Sequence, residues 1–367
     1  MRITLCVNAL SPEPGGIGRY TWELAKGLAR KPEISELNYF ARGRLIADPS
    51  TLLADEPKFP RLRRIAHWLE RRKIERVLSS TLVHGPNYFL PDSAETGVVT
   101  VHDLSVFRFP ESHPADRVAE FERLFLRSVE RAAHIVTDTE TVRRELTEMF
   151  AVSPSRVTSV PLGVSEAFQP RKAKELVGLS KWGLRSGEYA LCVSTLEPRK
   201  KISELLCAWE RLPAPLRERY PLVLAGGSGW RNDDLRSQVE RAVGAGWLKH
   251  LGFLEEAVLP LIYSGASLFI YPSIYEGFGL PPIEAMASGV PVIVSDRSCL
   301  PEVCGDAARH VDPDDLDGFT AAIEASLTDP AWRAGAVQRG LERAAQFTWR
   351  RCIDDTVAVY RRTLGHS

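Results

Sequence analysis

The sequence predicts an α/β protein made of two doubly wound, parallel-sheet domains. Three observations carry that reading. Apolar, β-rich stretches alternate with stretches of helical periodicity along nearly the whole chain, the pattern of parallel strands joined by crossover helices. At 367 residues the chain is long enough for two domains. The alternation also breaks once, at the polar stretch "GVSEAFQPRKAKELVGLSKWGLRSGE" (163–188), and then restarts.

The first domain, over 1–168, opens with the strand text "RITLCVNAL", a glycine loop and the helix text "GRYTWELAKGLARK". Further strands are expected at "TLVHGPN", "TGVVTVHD", "HIVTDT" and "VTSVPLG", with helices over 115–133 and 140–150. Residues 169–187 read as a linker. The second domain, over 188–345, runs "YALCVST", helix "ISELLCAWERL", "PLVLAGG", helix "DDLRSQVERAV", "LKHLGF", helix "AVLPLIYSGA", "SLFIYPS", helix "PPIEAMASG" and "PVIVSD". The last segment, 346–367, reads as one helix. No short-period repeat appears, which excludes a solenoid. Open parallel sheets bind ligands beyond the carboxyl ends of their strands, so two Rossmann-like domains facing a cleft are expected to place their chemistry just after strands.

Composition bounds the function. Lys+Arg and Asp+Glu are equal at 47 each, so overall charge predicts no nucleic-acid partner. The six cysteines form no CxxC pair and no zinc-ligand spacing, and read as small buried thiols. The start "MRITLCVNAL" is strand-like rather than a leader, and no run of about 18 apolar residues is present. A cytoplasmic protein is expected.

Several constellations do follow strands. "PEPGGIGRY" (12–20) places Gly16 where a helix opens, which allows close approach of an anion to backbone; its spacing does not fit a dinucleotide fingerprint, and a plain tight turn is the alternative. "VVTVHDL" ends a strand on His102 and Asp103, suited to bonding a substrate hydroxyl or to proton transfer, unless local backbone satisfies the histidine. "STLEPRKKI" puts Arg199, Lys200 and Lys201 at a helix start, where cations are not favoured by the dipole and a phosphate would explain them; a solvated basic turn is the alternative. "LAGGSGW" (224–230), with Gly227, is a further glycine turn, and "LGFL" offers Phe253 and Leu254 as a shelf for a flat ring.

The densest stretch is "YEGFGLPPIEAMASGVPVIVS" (275–295). Prolines suit the first turn of a helix because no donor is needed there. The amides of Phe278, Gly279 and Leu280 and the helix dipole would hold a phosphate. Glu284 near the helix start suits two vicinal ribose hydroxyls, and Glu276 before the turn suits a sugar on the other side of a diphosphate. A helix-dipole carboxylate accounts for Glu284 alone, but not for Glu276, the "GFG" turn and the prolines together.

The set resembles the retaining, GT-B-fold glycosyltransferases of family 4. Glu276 and Glu284 meet that family's E-x7-E signature, and "GGIGRY", "TVHDL", "VPLGV", "LEPRK" and "LAGGSGW" occur in its order. The flavour is that of bacterial mannosyl- and rhamnosyltransferases of surface-polysaccharide assembly such as O-antigen. The resemblance implies a nucleotide-diphosphate sugar donor, GDP-mannose or a GDP-deoxymannose, and transfer of the hexose with retention to a saccharide acceptor. It implies that Arg199 and Lys200 neutralise the donor diphosphate, that the amides of Phe278, Gly279 and Leu280 take its distal phosphate, and that Glu284 binds ribose. Glu276 would bind the hexose, the 253–254 backbone the base, and His102, beside Asp103, the transferred sugar; Gly16 would approach the diphosphate, and the C-terminal helix of 346–367 would cross back to the N-terminal domain. The donor phosphate would deprotonate the acceptor, so no protein nucleophile is required. Two departures stand out: Ser194 and Thr195 occupy positions where many relatives carry Arg or Gly, and Lys201 replaces a frequent Asn. No DxD motif follows a strand ("NDD" at 232–234 reads as a helix cap), so no metal is expected.

Residues 61–76, "RLRRIAHWLERRKIER", carry seven Lys/Arg against two Glu. Arg63, Arg64, Trp68, Arg71 and Arg72 would suit an anionic bilayer or a lipid diphosphate, so the enzyme is expected to sit peripherally on the inner face of the cell membrane and to use an undecaprenyl-diphosphate-linked acceptor; a solvated basic helix is the alternative. The rival readings are a UDP-sugar-dependent glucosyl- or N-acetylhexosaminyltransferase, an epimerase or phosphorylase, and a nucleotide-sugar-binding module without catalysis.

Overall fold

The computed structural model describes residues 1–13, 15–54, 64–112, 115–227 and 233–365. They fall into two units: Met1–Phe107 with Ala115–Gly163 and Trp349–Ser367, and Arg108–Pro114 with Val164–Thr348.

The first unit is a seven-stranded sheet of β1 (Arg2–Cys6), β2 (Glu36–Ala41), β3 (Arg44–Ile46), β4 (Leu82–Gly85), β5 (Thr96–Val101), β6 (His134–Thr137) and β7 (Val157–Ser159), in the order β3-β2-β1-β4-β5-β6-β7. All neighbours are parallel except the β2–β3 hairpin, which turns at Arg42 and Gly43, both in the left-handed region. Val98, Val99, Val101 and Ile135 are fully buried, as expected of strands covered on both faces. The helix Trp349–Thr363 belongs to this unit. Its Tyr360 hydroxyl meets His84 Nδ1 at 2.6 Å, and His84 Nε2 meets Thr100 Oγ1 at 2.8 Å. Burial, and then the charge of His102, lower His84 to about 3, so its imidazole is neutral.

The second unit is a six-stranded, wholly parallel sheet of β8 (Ala190–Val193), β9 (Leu222–Ala225), β10 (Leu248–His250), β11 (Leu268–Tyr271), β12 (Val292–Ser295) and β13 (Ala308–Val311), in the order β10-β9-β8-β11-β12-β13. Its core gathers Trp209, Leu222, Leu224, Ile270, Ile293 and Phe319. Residues 169–187, read above as a linker, carry two 3-10 turns, Ala173–Glu175 and Val177–Trp182, whose Leu176 and Leu179 are buried in this unit.

In each sheet the strand order reverses once, between β1 and β4 and between β8 and β11. Chain leaving the carboxyl ends of two such strands diverges to opposite sides and leaves a crevice there, the place where open α/β sheets take ligands.

Candidate active site

Lys200 and Glu276 are 76 positions apart in sequence, but they follow β8 and β11, the adjacent strands at the reversal in the second unit. After β8 the chain makes the 3-10 turn Pro198–Lys200 and enters the helix Ile202–Glu210 through Lys201, at φ +53. A non-glycine residue seldom takes that left-handed conformation, which marks Lys201 as a tight junction between turn and helix. After β11, Ile274 N donates to the Arg199 carbonyl at 2.9 Å and ties the two loops together.

Three charged side chains meet on this platform. Lys200 Nζ donates to Glu276 Oε1 at 2.5 Å, and Arg199 Nη1 lies 3.6 Å from Glu276 Oε2 while donating to the Tyr275 carbonyl at 2.8 Å. Tyr271 completes the group: its hydroxyl donates to Glu276 Oε1 at 2.8 Å and accepts from Lys200 Nζ at 3.0 Å. Burial pushes the Glu276 carboxyl up, but Lys200 and then Arg199 more than reverse this and hold it at about 2. Burial, followed by the Glu276 charge, keeps the Tyr271 phenol protonated. Arg199 also donates to Glu197 at 3.1 Å, and Lys201 is paired with Glu204 and Asp314 rather than with Glu276.

Beyond Glu276 the chain turns through Gly279, at φ +92, into the helix Leu280–Ala287. Pro281 and Pro282 remove two donors from its first turn. Among the described residues, no acceptor takes the amides of Phe278, Gly279 or Leu280. Glu284 is buried in this helix. Phe253 is 59% exposed in the loop after β10, with Leu254 half-buried beside it. Gly226 has φ +138, and a Cβ there would meet the Ser194 carbonyl oxygen at 2.0 Å, so the fold itself demands that glycine. Gly227, by contrast, has none of the described residues within 4 Å of where a Cβ would stand. Residues 228–230 of the "LAGGSGW" turn, and Asn232, lie outside the described residues.

In the first unit Gly16 begins the helix Gly16–Leu28, and a Cβ at Gly15 or Gly16 would meet nothing within 4 Å. Packing against the described residues therefore does not require either glycine. Pro14 lies outside the described residues. His102 is buried at the end of β5, its ring committed on both sides: Nδ1 is 2.8 Å from Asp138 Oδ2 and Nε2 is 2.9 Å from the Pro86 carbonyl. Burial lowers the imidazolium, but Asp138 and the bond to Pro86 leave His102 above its ordinary value. Asp103 accepts from the Ser105 amide at 2.8 Å and caps the short helix Ser105–Arg108. Sequence reasoning missed Asp138 and Tyr271, both at or just after strand ends; "HIVTDT" carries the first of them openly.

In the basic segment, Arg63 and the side chain of Arg64 lie outside what the structure describes. In the helix Arg64–Ser80, Trp68 and Leu69 are 50% and 57% exposed, Arg72 lies 4.3 Å over the Trp68 ring, and Arg71 pairs with Glu75 at 3.0 Å. Ile74 and Leu78 are buried. Among the described residues no helix is long and apolar enough to cross a membrane, and no cluster of side chains could hold a metal ion.

Comparison with known proteins gives the family and the fold. Residues 14–168 match the model described as Glycosyltransferase Family 4, and residues 181–343 the one described as Glycosyl transferases group 1. The chain is 39% identical to O-antigen chain mannosyltransferase B of Escherichia coli, over 98% of this chain and 100% of that protein. It is 30% identical to the serotype-specific mannosyltransferase WbdA of Escherichia coli over 74% of this chain, a match that spans 34% of WbdA. Among solved structures, sucrose-phosphate synthase from Thermosynechococcus elongatus superposes with a TM-score of 0.75 at 21% identity, covering 100% of both chains. The chain belongs to the family 4 glycosyltransferases, hexose-transferring enzymes of GT-B fold.

Proposed function

We propose that this enzyme transfers mannose from GDP-mannose, with retention of configuration, to a growing saccharide in the synthesis of an O-antigen-type surface polysaccharide. The observation that carries the reading is the Arg199–Lys200–Glu276 group at the strand reversal, with Lys200 and Glu276 buried and Arg199 half-buried, next to a glycine turn whose amides have no acceptor among the described residues. Two cations and a set of free amides would together stabilise a leaving diphosphate, and that charge stabilisation would be the main source of rate in a transferase with no protein nucleophile. Donor binding would divide Lys200 from Glu276: the ammonium turns to the phosphates and the carboxylate to the hexose hydroxyls. Glu284 takes the ribose, the Phe253–Leu254 shelf the base, and Gly16 and Gly227 allow backbone to approach the donor. For His102 to bond the transferred sugar, Nε2 must leave the Pro86 carbonyl; the imidazolium held by Asp138 would then donate to a hydroxyl. The acid–base step falls to the donor phosphate, and no metal is required.

The mannosyltransferase names of the two Escherichia coli relatives favour mannose over glucose or an N-acetylhexosamine. The exposed Trp68 and Leu69 beside Arg71 and Arg72 support a peripheral seat on an anionic membrane, where a lipid-diphosphate-linked acceptor would be met. The test is a panel of nucleotide sugars assayed for nucleoside diphosphate release and transfer. Turnover of GDP-mannose that is lost in Lys200→Ala and Glu276→Ala supports the reading; turnover of UDP-sugars alone, or of none, defeats it.

A further inference from the structure

Ser298 has no part in the roles assigned above, yet its backbone is held at φ +56, a region that residues with a Cβ seldom occupy. It lies between β12 and the short helix Leu300–Cys304. From this position its hydroxyl donates to the Glu276 carbonyl at 2.8 Å and accepts from the Glu276 amide at 3.3 Å. The buried thiol of Cys299 donates to the same carbonyl at 3.1 Å. Leu300, also buried, lies so close to Gly279 that a Cβ there would meet its Cδ2 at 2.7 Å. Three consecutive side chains therefore bear on the loop 276–279. They hold both peptide planes that flank the Glu276 Cα, while Lys200, Arg199 and Tyr271 hold its carboxylate. Strained backbone of this kind persists only where the surroundings over-determine it.

We infer that Ser298 is a positioning residue for Glu276: its hydroxyl, bridging the amide and carbonyl of that residue, sets the backbone from which the carboxylate reaches Lys200 and the donor sugar. The inference rests on the role proposed for Glu276. Without the bridge the carboxylate would sample positions out of register with the sugar, and a misplacement of about 1 Å can cost up to about 100-fold in rate.

Ser298→Gly isolates the hydroxyl, because glycine adopts a positive φ freely and adds no strain. Two measurements on the full chain test it. The first needs no ligand: amide hydrogen exchange of a peptide spanning 272–280 is expected to speed up about tenfold at Glu276 when the bridge is lost, with the thermal midpoint within a few degrees of wild type. The second is turnover of GDP-mannose, where kcat is expected to fall by about 10- to 100-fold with little change in KM. Unchanged exchange overturns the inference, as does faster exchange with kcat intact. A loss of stability with kcat intact would mark Ser298 as merely structural, and also overturns it. Glu276→Gln separates the two readings. If that variant keeps wild-type turnover, or if the wild type does not turn over GDP-mannose, the proposed function fails while the exchange result still judges the brace. If Glu276→Gln is inactive and Ser298→Gly is not, the brace alone fails.

Discussion

Lys200→Ala removes the nearest cation from a carboxylate that has little water to replace it. In the wild type Lys200 and Arg199 overcome burial and bring Glu276 from an ordinary 4.5 down to about 2. At roughly 1.4 kcal/mol per unit, that depression amounts to about 3 kcal/mol in favour of the charged, paired form. Breaking a buried pair by deleting one partner typically costs ~3–5 kcal/mol. Arg199 remains at 3.6 Å and takes up part of the loss, so a deficit of about 3 kcal/mol in the second unit is expected near neutral pH. The sign of the pH dependence follows from the lowered folded-state value: the stabilisation is complete above the ordinary 4.5 and is lost as pH falls through about 2. In the variant burial is less opposed, so Glu276 protonates at higher pH and sheds its penalty; the gap to wild type should narrow as the solution is acidified. Native-state hydrogen exchange of β8 and β11 reads the unfolding free energy of this unit directly. The double variant Lys200→Met with Glu276→Gln should regain most of the stability and none of the activity. A deficit below about 1 kcal/mol near neutral pH, or a deficit that does not change with pH, would mean that the pair is not coupled as its geometry implies.

Four further outcomes are expected. Gly16→Ala meets none of the described residues, so its stability should match wild type while the KM for donor rises; Gly279→Ala, at φ +92 and against Leu300, should lose about 1–3 kcal/mol in thermal or urea unfolding. Asp138→Asn should lower the His102 pKa in an NMR titration, because burial then acts without its counterweight. In the wild type, where His102 is raised, the stabilisation that comes from its charged form is present below His102's ordinary 6.5 and is lost as pH rises through the raised value. An unchanged titration would argue against the pair. Replacing Trp68, Arg71 and Arg72 together by Ala should abolish binding to phosphatidylglycerol vesicles at low salt, and raised salt should weaken wild-type binding; no wild-type binding at low salt would remove the membrane seat.

The fold was legible where strands are buried on both faces, as in "TGVVTV" and "SLFIY", and where proline or glycine punctuates a helix, as at 280–289. It was not legible at the edges. The hairpin "ELNYFARGRLI" and the strand "ARHV" are mostly half-buried and mix polar with apolar residues, and strands of that kind lack both a long apolar run and clean alternation. The individual site residues were legible as residues that follow strands. That Lys200 touches Glu276 depends on β8 lying beside β11, which is a fact of topology and not of spacing. The same holds for His102 and Asp138, 36 positions apart but carried by the neighbouring strands β5 and β6. The two readings left open for His102, a bond to substrate or a ring satisfied by local backbone, both overlooked Asp138, because a strand-end Asp followed by Thr also reads as ordinary helix-capping text.

Donor recognition at the strand reversal is best decided by a bound complex. A crystal structure with GDP-mannose should place the diphosphate within about 3 Å of Lys200 Nζ, Arg199 and the amides of 278–280, with the mannose on the Glu276 carboxylate and the Lys200–Glu276 contact opened. A donor bound elsewhere, or a Lys200–Glu276 pair still closed beneath a bound donor, would contradict it.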